Sequence, residues 1–338
     1  MKRLFFTGII IIAGFQITLN AQFDSQLSNY FALINYFNPA YAGHSDKLEA
    51  TYLNRMQWIG IDGAPRTSIL TAQMPYKFME RIHGLGVAMY NDRSGLFSLS
   101  VISGQYAWKK QMLKGNFSVG LQVGYINQTF DGTKVEIPQD DYHTQTDPAI
   151  PTSKVSGKSI DAALGLYFEK PKFNVGLSVN HLLAPKLDIS EQYIFDIPRT
   201  YYLTGGYKIP LSNPDIVLQP SFLLKTMEMS TVYLDEDSLV EKVETNTLKA
   251  MMRNTQIDVS VRMIYNDKFF GGLSWRNSDA IVVLLGGKFK MIEAGYAYDF
   301  PISAIRRESS GSHEIFIRYS MDINLNKGVK GKHKSVRI

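Results

Sequence analysis

The sequence predicts an all-β protein: a transmembrane, antiparallel, up-and-down β-barrel of about 14 strands that follows a cleaved signal peptide. Three observations lead there. The first is alternation. In 314–323, Ile315, Ile317, Tyr319, Met321 and Ile323 alternate with Glu314, Phe316, Arg318, Ser320 and Asp322, and a period of two sends the two sets to opposite faces of a strand. The second is an apolar leader at 1–21 that marks the chain for export. The third is the spacing of the connections. Numbered in order, the odd ones include the long ones (131–158, 183–198, 228–253 and 301–312), and the even ones are mostly short. Bacterial transmembrane barrels have an even strand number, with long loops at one end and short turns at the other.

Taken in order, the leader has Lys2 and Arg3 as its charged end, Leu4 to Phe15 as its apolar run, and Leu19-Asn20-Ala21 as a cleavage site before Gln22. The run is about 12 residues where a membrane helix needs about 20. No Cys follows it, so no lipoprotein is expected. Residues 22–46 carry the Pro- and Gly-punctuated stretch Phe37-Asn38-Pro39-Ala40-Tyr41-Ala42-Gly43. This N-terminal periplasmic or luminal segment is expected inside or just below the barrel.

The barrel itself is expected over 47–325. Its strands read as 47–59, 66–77, 83–91, 95–112, 115–130, 159–169, 172–182, 199–209, 215–227, 254–265, 268–276, 280–289, 290–300 and 313–324. Phe117, Val119, Leu121, Val123 and Tyr125 oppose Asn116, Ser118, Gly120, Gln122 and Gly124. Likewise, Ile257, Val259, Val261, Met263 and Tyr265 oppose Gln256, Asp258, Ser260, Arg262 and Asn266. Helical spacing would mix these sets. A sheet this long leaves two open edges unless its first and last strands meet, so closure is expected. The charged face (Asp258, Arg262, Glu314, Arg318, Asp322) would meet water outside a soluble sandwich or line the lumen of a membrane barrel. Periodicity alone does not separate the two; leader, strand number and loop parity favour the barrel. Both ends of the mature chain are then expected in the periplasm, including the polar, basic tail 326–338.

Composition narrows the function classes. The chain has 338 residues, is 45% hydrophobic and 20% charged, and carries 19 Phe, 19 Tyr and 3 Trp, a profile that suits an amphipathic sheet with interface girdles. The absence of Cys excludes disulfides, zinc–thiolate centres and a cysteine nucleophile. The net charge of +5 includes Lys2 and Arg3 of the leader. No basic patch interleaved with stacking aromatics points to nucleic acid.

Chemistry-bearing patterns are sparse. The six His, at 44, 83, 143, 181, 313 and 333, show no HExxH or His-x-His spacing, so no metal is expected. Ser312, His313 and Glu314 are adjacent, but consecutive strand residues face opposite ways, so Ser312 and His313 do not form a nucleophile–base pair. Asp235-Glu236-Asp237-Ser238 begins like a calcium loop, yet Val240 stands where Gly is needed and Asn246 where a bidentate Glu is needed. Gly84-Leu85-Gly86 lacks the third glycine and following helix of a nucleotide fingerprint. Neither an enzyme nor a cofactor is expected.

Several blocks carry a family resemblance. Asn38-Pro39-Ala40-Tyr41-Ala42-Gly43, led in by Gln26 and Tyr30, is followed by Arg55-Met56-Gln57-Trp58-Ile59-Gly60 with Gly63-Ala64-Pro65, then His83-Gly84-Leu85-Gly86 with Asn91-Asp92 and Gly95. Tyr298-Asp299-Phe300 and Gly311-Ser312-His313-Glu314-Ile315 complete the set. Together they resemble the PorP/SprF family of type IX secretion system outer-membrane proteins. Independently of that likeness, Pro39 and Gly43 suit a fixed approach to the first strand. Arg55 and Gln57 share a face opposite Met56 and Trp58, which suits the lumen, and Trp58 suits a membrane interface.

The resemblance implies a non-enzymatic role: support for export and surface anchoring of large cargo such as gliding adhesins. The implied partners are outer-membrane lipid, the cargo's C-terminal domain, and periplasmic ring or peptidoglycan-binding lipoprotein components. Outer loops and rim would hold the cargo, while the N-terminal segment and tail would face the periplasm. The alternatives are a general porin or small-solute transporter, and a barrel enzyme.

Overall fold

The computed structural model describes residues 24–79, 81–135, 151–190, 193–228, 230–234, 241–245 and 254–323. The expected leader 1–21, the acidic stretch at 235–238 and the tail 326–338 lie outside these residues. The barrel strands are β1 (Lys47–Met56), β2 (Arg66–Phe78), β3 (Arg81–Ser94), β4 (Phe97–Met112), β5 (Gly115–Asp131), β6 (Lys154–Glu169) and β7 (Phe173–Asn180). They continue as β8 (Thr200–Tyr207), β9 (Ile216–Met227), β10 (Gln256–Tyr265), β11 (Phe269–Arg276), β12 (Ala280–Phe289), β13 (Ile292–Pro301) and β14 (Ser312–Asp322). Each pairs antiparallel with its sequence neighbours, and β1 pairs with β14 from Lys47↔Asp322 to Met56↔His313. Fourteen strands therefore close on themselves, leaving no open edge. Among the described residues, no helix is long and apolar enough to cross a membrane; crossing is by strands.

β1 stops at Met56, short of the expected residue 59. Trp58 takes a φ of 49° and Gly60 a φ of 104°, left-handed values that turn the chain out of the ladder. β6 begins at Lys154, earlier than expected, because residues 154–158 pair with 127–131 of the long β5. Two small hairpins decorate the long connections: Lys186–Ser190 with Tyr193–Asp196, and Ser230–Leu234 with Glu241–Thr245.

The two faces separate as the alternation requires. Outward residues are large and apolar: one cross-strand row runs Tyr52, Leu70, Met89, Ile102, Tyr125, Ile160, each directly opposite the next. Ile160 and Leu273 are each 62% exposed, which water would penalise by about 1.5–3 kcal/mol per side chain relative to hydrocarbon. This is a lipid-facing surface. Inward positions are polar in part, but Leu53, Ile69, Ile126, Leu223, Phe270 and Phe316 also point inward and are buried.

What buries them is the N-terminal segment. Residues 24–46 run down the lumen as short turns: a 3-10 turn Tyr30–Ala32, one helical turn Ile34–Phe37 and a 3-10 turn Pro39–Tyr41. Leu27, Tyr30, Leu33 and Phe37 join Leu53, Ile69, Tyr90, Ile126, Tyr202 and Phe316 in one apolar cluster. Leu187 and Ile197, from the connection after β7, join the same cluster. The segment starts at the end of the barrel that carries the long connections, where Asp24 meets His181, Tyr202 and Lys225. It leaves at the short-turn end, where the Gly43 carbonyl accepts from Lys109 Nζ. The segment thus occupies the lumen, with its last residues at the short-turn end. Its first described residue is at the opposite end, drawn there by the charged groups of β6 to β9.

Candidate functional site

The lumen at the long-connection end is built from strand residues that point inward at one level and from the first turn of the plug. Arg55 (β1) donates through Nη2 to Asp299 Oδ2 at 2.8 Å and through Nη1 to Glu314 Oε2 at 3.2 Å. Arg276 (β11) donates through Nε to Asp258 Oδ1 at 2.7 Å, and through Nη1 to Asp299 Oδ2 and Asp279 Oδ2, both at 3.1 Å. Ser28 Oγ donates to Asp299 Oδ1 at 2.6 Å and accepts from both arginines at 3.1 Å. The backbone N–H groups of Ser28 and Asn29 donate to the two oxygens of Glu314 at 2.9 and 2.6 Å. Arg55, Arg276, Asp258, Asp299 and Glu314 are each at most 2% exposed. Charges this deep stand only if paired. Here the plug's own backbone completes the pairing, which binds it to β1, β13 and β14.

A second anchor sits beside it. Asp24 Oδ1 lies 3.2 Å from His181 Nε2, while His181 Nδ1 lies 2.7 Å from Asp161 Oδ2. Tyr202 OH donates to Asp24 Oδ2 at 2.6 Å, and Lys225 Nζ donates to the Asp24 carbonyl at 2.8 Å. Burial alone would lower the His181 pKa, but Asp24 and Asp161 overcome it and push it up to about 10. Burial likewise opposes charge on Asp24, and His181 followed by Lys225 holds its carboxyl well below the usual carboxylate range. The plug thus meets the wall through an ionised His–Asp pair.

The lower half of the plug is held by shape. Asn38 Oδ1 accepts from the Ala40 N–H at 2.9 Å, and its Nδ2 donates to the carbonyls of Leu166 and Leu177 at 2.9 and 3.3 Å. The following Pro39 opens the 3-10 turn at its first position. The wall meets this turn with glycines: a Cβ added to Gly120 would lie 2.1 Å from Ala40 N, and one on Gly84 1.8 Å from Ala42 O. Tyr41 stacks on His44 with ring centroids 4.3 Å apart and meets Tyr167 edge-on at 5.2 Å. Burial, then Lys109, Lys208 and Arg318, drive the His44 pKa down to about 3. Its 3.2 Å contact with Glu169 is therefore made as a neutral ring. Between the two ends, Arg318 Nη2 donates to the Ala32 carbonyl at 2.6 Å and Gln105 Nε2 to that of Asn35 at 2.7 Å.

The residues singled out in the sequence fall into three places. Arg55, Asp299 and Glu314 come together in the buried charge cluster. Asn38, Pro39, Ala40, Tyr41 and Gly43 form the lower plug, at the other end of the lumen. Gln57, Trp58, Gly60 and Pro65 lie in the β1–β2 connection, zipped to the last connection: Ile59 N–H donates to the Gly311 carbonyl at 2.8 Å, and Ser310 N–H to that of Ile59 at 2.7 Å. Trp58 N–H donates to Ser312 Oγ at 3.1 Å, so Trp58 braces this junction rather than ending a strand. Ser312 is buried on the inward face, while His313 is on the outward face beside Tyr296 and Tyr298.

Sequence reasoning missed Ser28, Asn29, Asp24, His181, Arg276 and Asp258 as members of the site. The readable signal was the apolar residues on otherwise polar strand faces, Leu53, Ile69, Ile126 and Phe316, which have no place in a water-filled lumen. Among the described residues, no group of three or more His, Asp or Glu is arranged to hold a metal ion.

The sequence model of the family described as type IX secretion system membrane protein PorP/SprF matches residues 19–319. A comparison with curated protein sequences gives no match. Among solved structures, the chain is similar to the toluene transporter TodX of Pseudomonas putida, at 11% identity and a TM-score of 0.49, over 88% of this chain and 95% of that one. It is also similar to a FadL homologue of Pseudomonas aeruginosa, at 11% identity and a TM-score of 0.46, over 85% and 93%.

Proposed function

Because this chain belongs to the PorP/SprF family of type IX secretion system membrane proteins, we propose that it is a closed, non-conducting outer-membrane barrel that supports export and surface anchoring of large cargo proteins. The observation that carries this reading is the filled lumen. A plug tied by Ser28, Asn29 and Asp24 to six strands and the connection after β7 suits a rigid platform and does not suit a diffusion pore. Long connections at one end and short turns at the other support an orientation with the long ones outside the cell. The outer rim, including the zipped junction of 57–65 with 302–311, then offers the surface for the cargo's C-terminal domain, gliding adhesins among the candidates. The short-turn end, with Tyr41 to Asp46, faces periplasmic ring or peptidoglycan-binding components. The C-terminal end of β14 lies on the periplasmic side. No catalytic step is assigned.

The test is affinity purification from detergent-solubilised outer membrane, identifying what accompanies the barrel, together with planar-bilayer recording of the same preparation. Secretion components or cargo with little conductance support the reading. A large steady conductance and no such companions would overturn it in favour of a general porin or small-solute transporter.

A further inference from the structure

Above the apolar row Tyr52–Ile160, the outward face of β1 to β6 changes character in one step. The next cross-strand row is Asn54, Ser68, Asn91, Ser100, Asn127 and Lys158, and the one after it Met56, Arg66, Arg93, Ser98, Thr129 and Ser156. Asn54 Nδ2 donates to Ser68 Oγ at 2.9 Å and Asn91 Nδ2 to Ser100 Oγ at 2.8 Å, so the lower polar row is already partly satisfied within itself. That row marks where hydrocarbon ends. Each row is about 6.7 Å further along the strand. With a strand tilt of about 40°, the arginine row stands about 10 Å above the last apolar row along the membrane normal. Arginine stems reach back toward the interface, which brings both guanidinium groups to the headgroup layer.

Arg66 and Arg93 sit directly opposite each other on this face, and both are exposed. Like charges at such a position destabilise a ladder. Neither side chain has an ion-pair or hydrogen-bond partner among the described residues, unlike those of Arg55, Arg199, Arg276 and Arg318, which all meet carboxylates. Both line a cleft of about 420 Å³ under the β1–β2 connection, together with Met56, Trp58, Ile61 and Asp62. Asp62, exposed at its edge, pairs with neither arginine. The site thus offers two unneutralised forks for a phosphate beside an indole and apolar walls, directly over a lipid-facing surface.

We propose that this cleft binds the phosphorylated sugar headgroup of an outer-leaflet glycolipid, with the phosphate between Arg66 and Arg93 and the sugar against Trp58. The acyl chains would descend along Tyr52, Leu70 and Met89. The outer-leaflet assignment rests on the orientation given under the proposed function; the binding chemistry does not.

The purified full chain in detergent is titrated with monophosphoryl lipid A, with its dephosphorylated counterpart and with phosphatidylglycerol, and bound lipid is read by native mass spectrometry. The wild type is expected to retain the phosphorylated glycolipid in preference to the other two. R66Q/R93Q is expected to bind it at least about tenfold more weakly, and W58F to lose part of the preference over phosphatidylglycerol. Folding of each variant is checked by heat-modifiable gel mobility, which exposed arginines should leave unchanged. Equal binding by R66Q/R93Q, or by the dephosphorylated lipid, overturns the phosphate site. Equal binding of phosphatidylglycerol overturns the assignment to a sugar headgroup. Because the readout involves neither cargo nor membrane orientation, its failure is separate from failure of the secretion reading.

Discussion

Replacing Arg276 by Met removes a cation but keeps most of the volume. In the native lumen this guanidinium is 0% exposed and meets Asp258 at 2.7 Å, Asp279 at 3.1 Å and Asp299 at 3.1 Å. Asp299 keeps Arg55 in the variant, and Asp279 is partly open to solvent, so the carboxylate left without a cation in contact is Asp258, itself 1% exposed and still bonded to Gln256 Nε2. Stripping one partner from a buried pair costs about 3–5 kcal/mol, and that is the loss expected here. Urea unfolding of the barrel refolded into lipid vesicles, followed by tryptophan fluorescence and gel mobility, measures it. Two controls frame the value. K47M breaks the exposed Lys47–Asp322 pair (40% and 85% side-chain exposure) and should cost under about 1 kcal/mol. R276M/D258L removes both charges and should recover most of the loss, because no charge is left unpaired. If R276M unfolds within about 1 kcal/mol of wild type, or the double variant recovers nothing, the cluster does not hold the plug in the way described.

Three further outcomes are expected. G84V places a side chain where a Cβ alone would lie 1.8 Å from the Ala42 carbonyl; the lower plug is displaced, and planar bilayers record openings absent from the wild type. N38A loses a cap and two wall contacts, lowering stability by about 1–2 kcal/mol in the same urea assay. The upper anchor depends on pH with a definite sign. The His181 pKa is raised from 6.5 to about 10 in the folded chain, so its stabilisation is complete below pH 6.5 and declines through pH 10. Protection factors at 25–29, with the intrinsic base-catalysed exchange rate divided out, should therefore fall across that interval, and H181Q should abolish the fall.

The barrel was legible because its rule is local: outward and inward residues alternate along β5 and β10 without exception, and one miscounted strand would have scrambled the long and short connections. The end of β1 was not, since the turn at Trp58 depends on bonds to Gly311 and Ser312, about 250 positions away in the chain. The charge cluster was half legible. Arg55, Asp299 and Glu314 stood out within recognisable blocks, whereas Arg276 and Asp258 look like ordinary lumen residues until the barrel's curvature sets them facing Ser28. The direction in which the plug runs was not written in any periodicity. It follows from where Asp24 finds cations, on β9 and after β7, which are distant strands in sequence.

The plug precedes the wall in the chain, yet Glu314, which grips Ser28 and Asn29, belongs to the strand made last. A cork at one end of the polypeptide is thus gripped by a clamp at the other. Without it, Glu314 at the seam between β1 and β14 would keep Arg55 but lose the two backbone donors of Ser28 and Asn29, so the stopper strengthens the very closure that it fills.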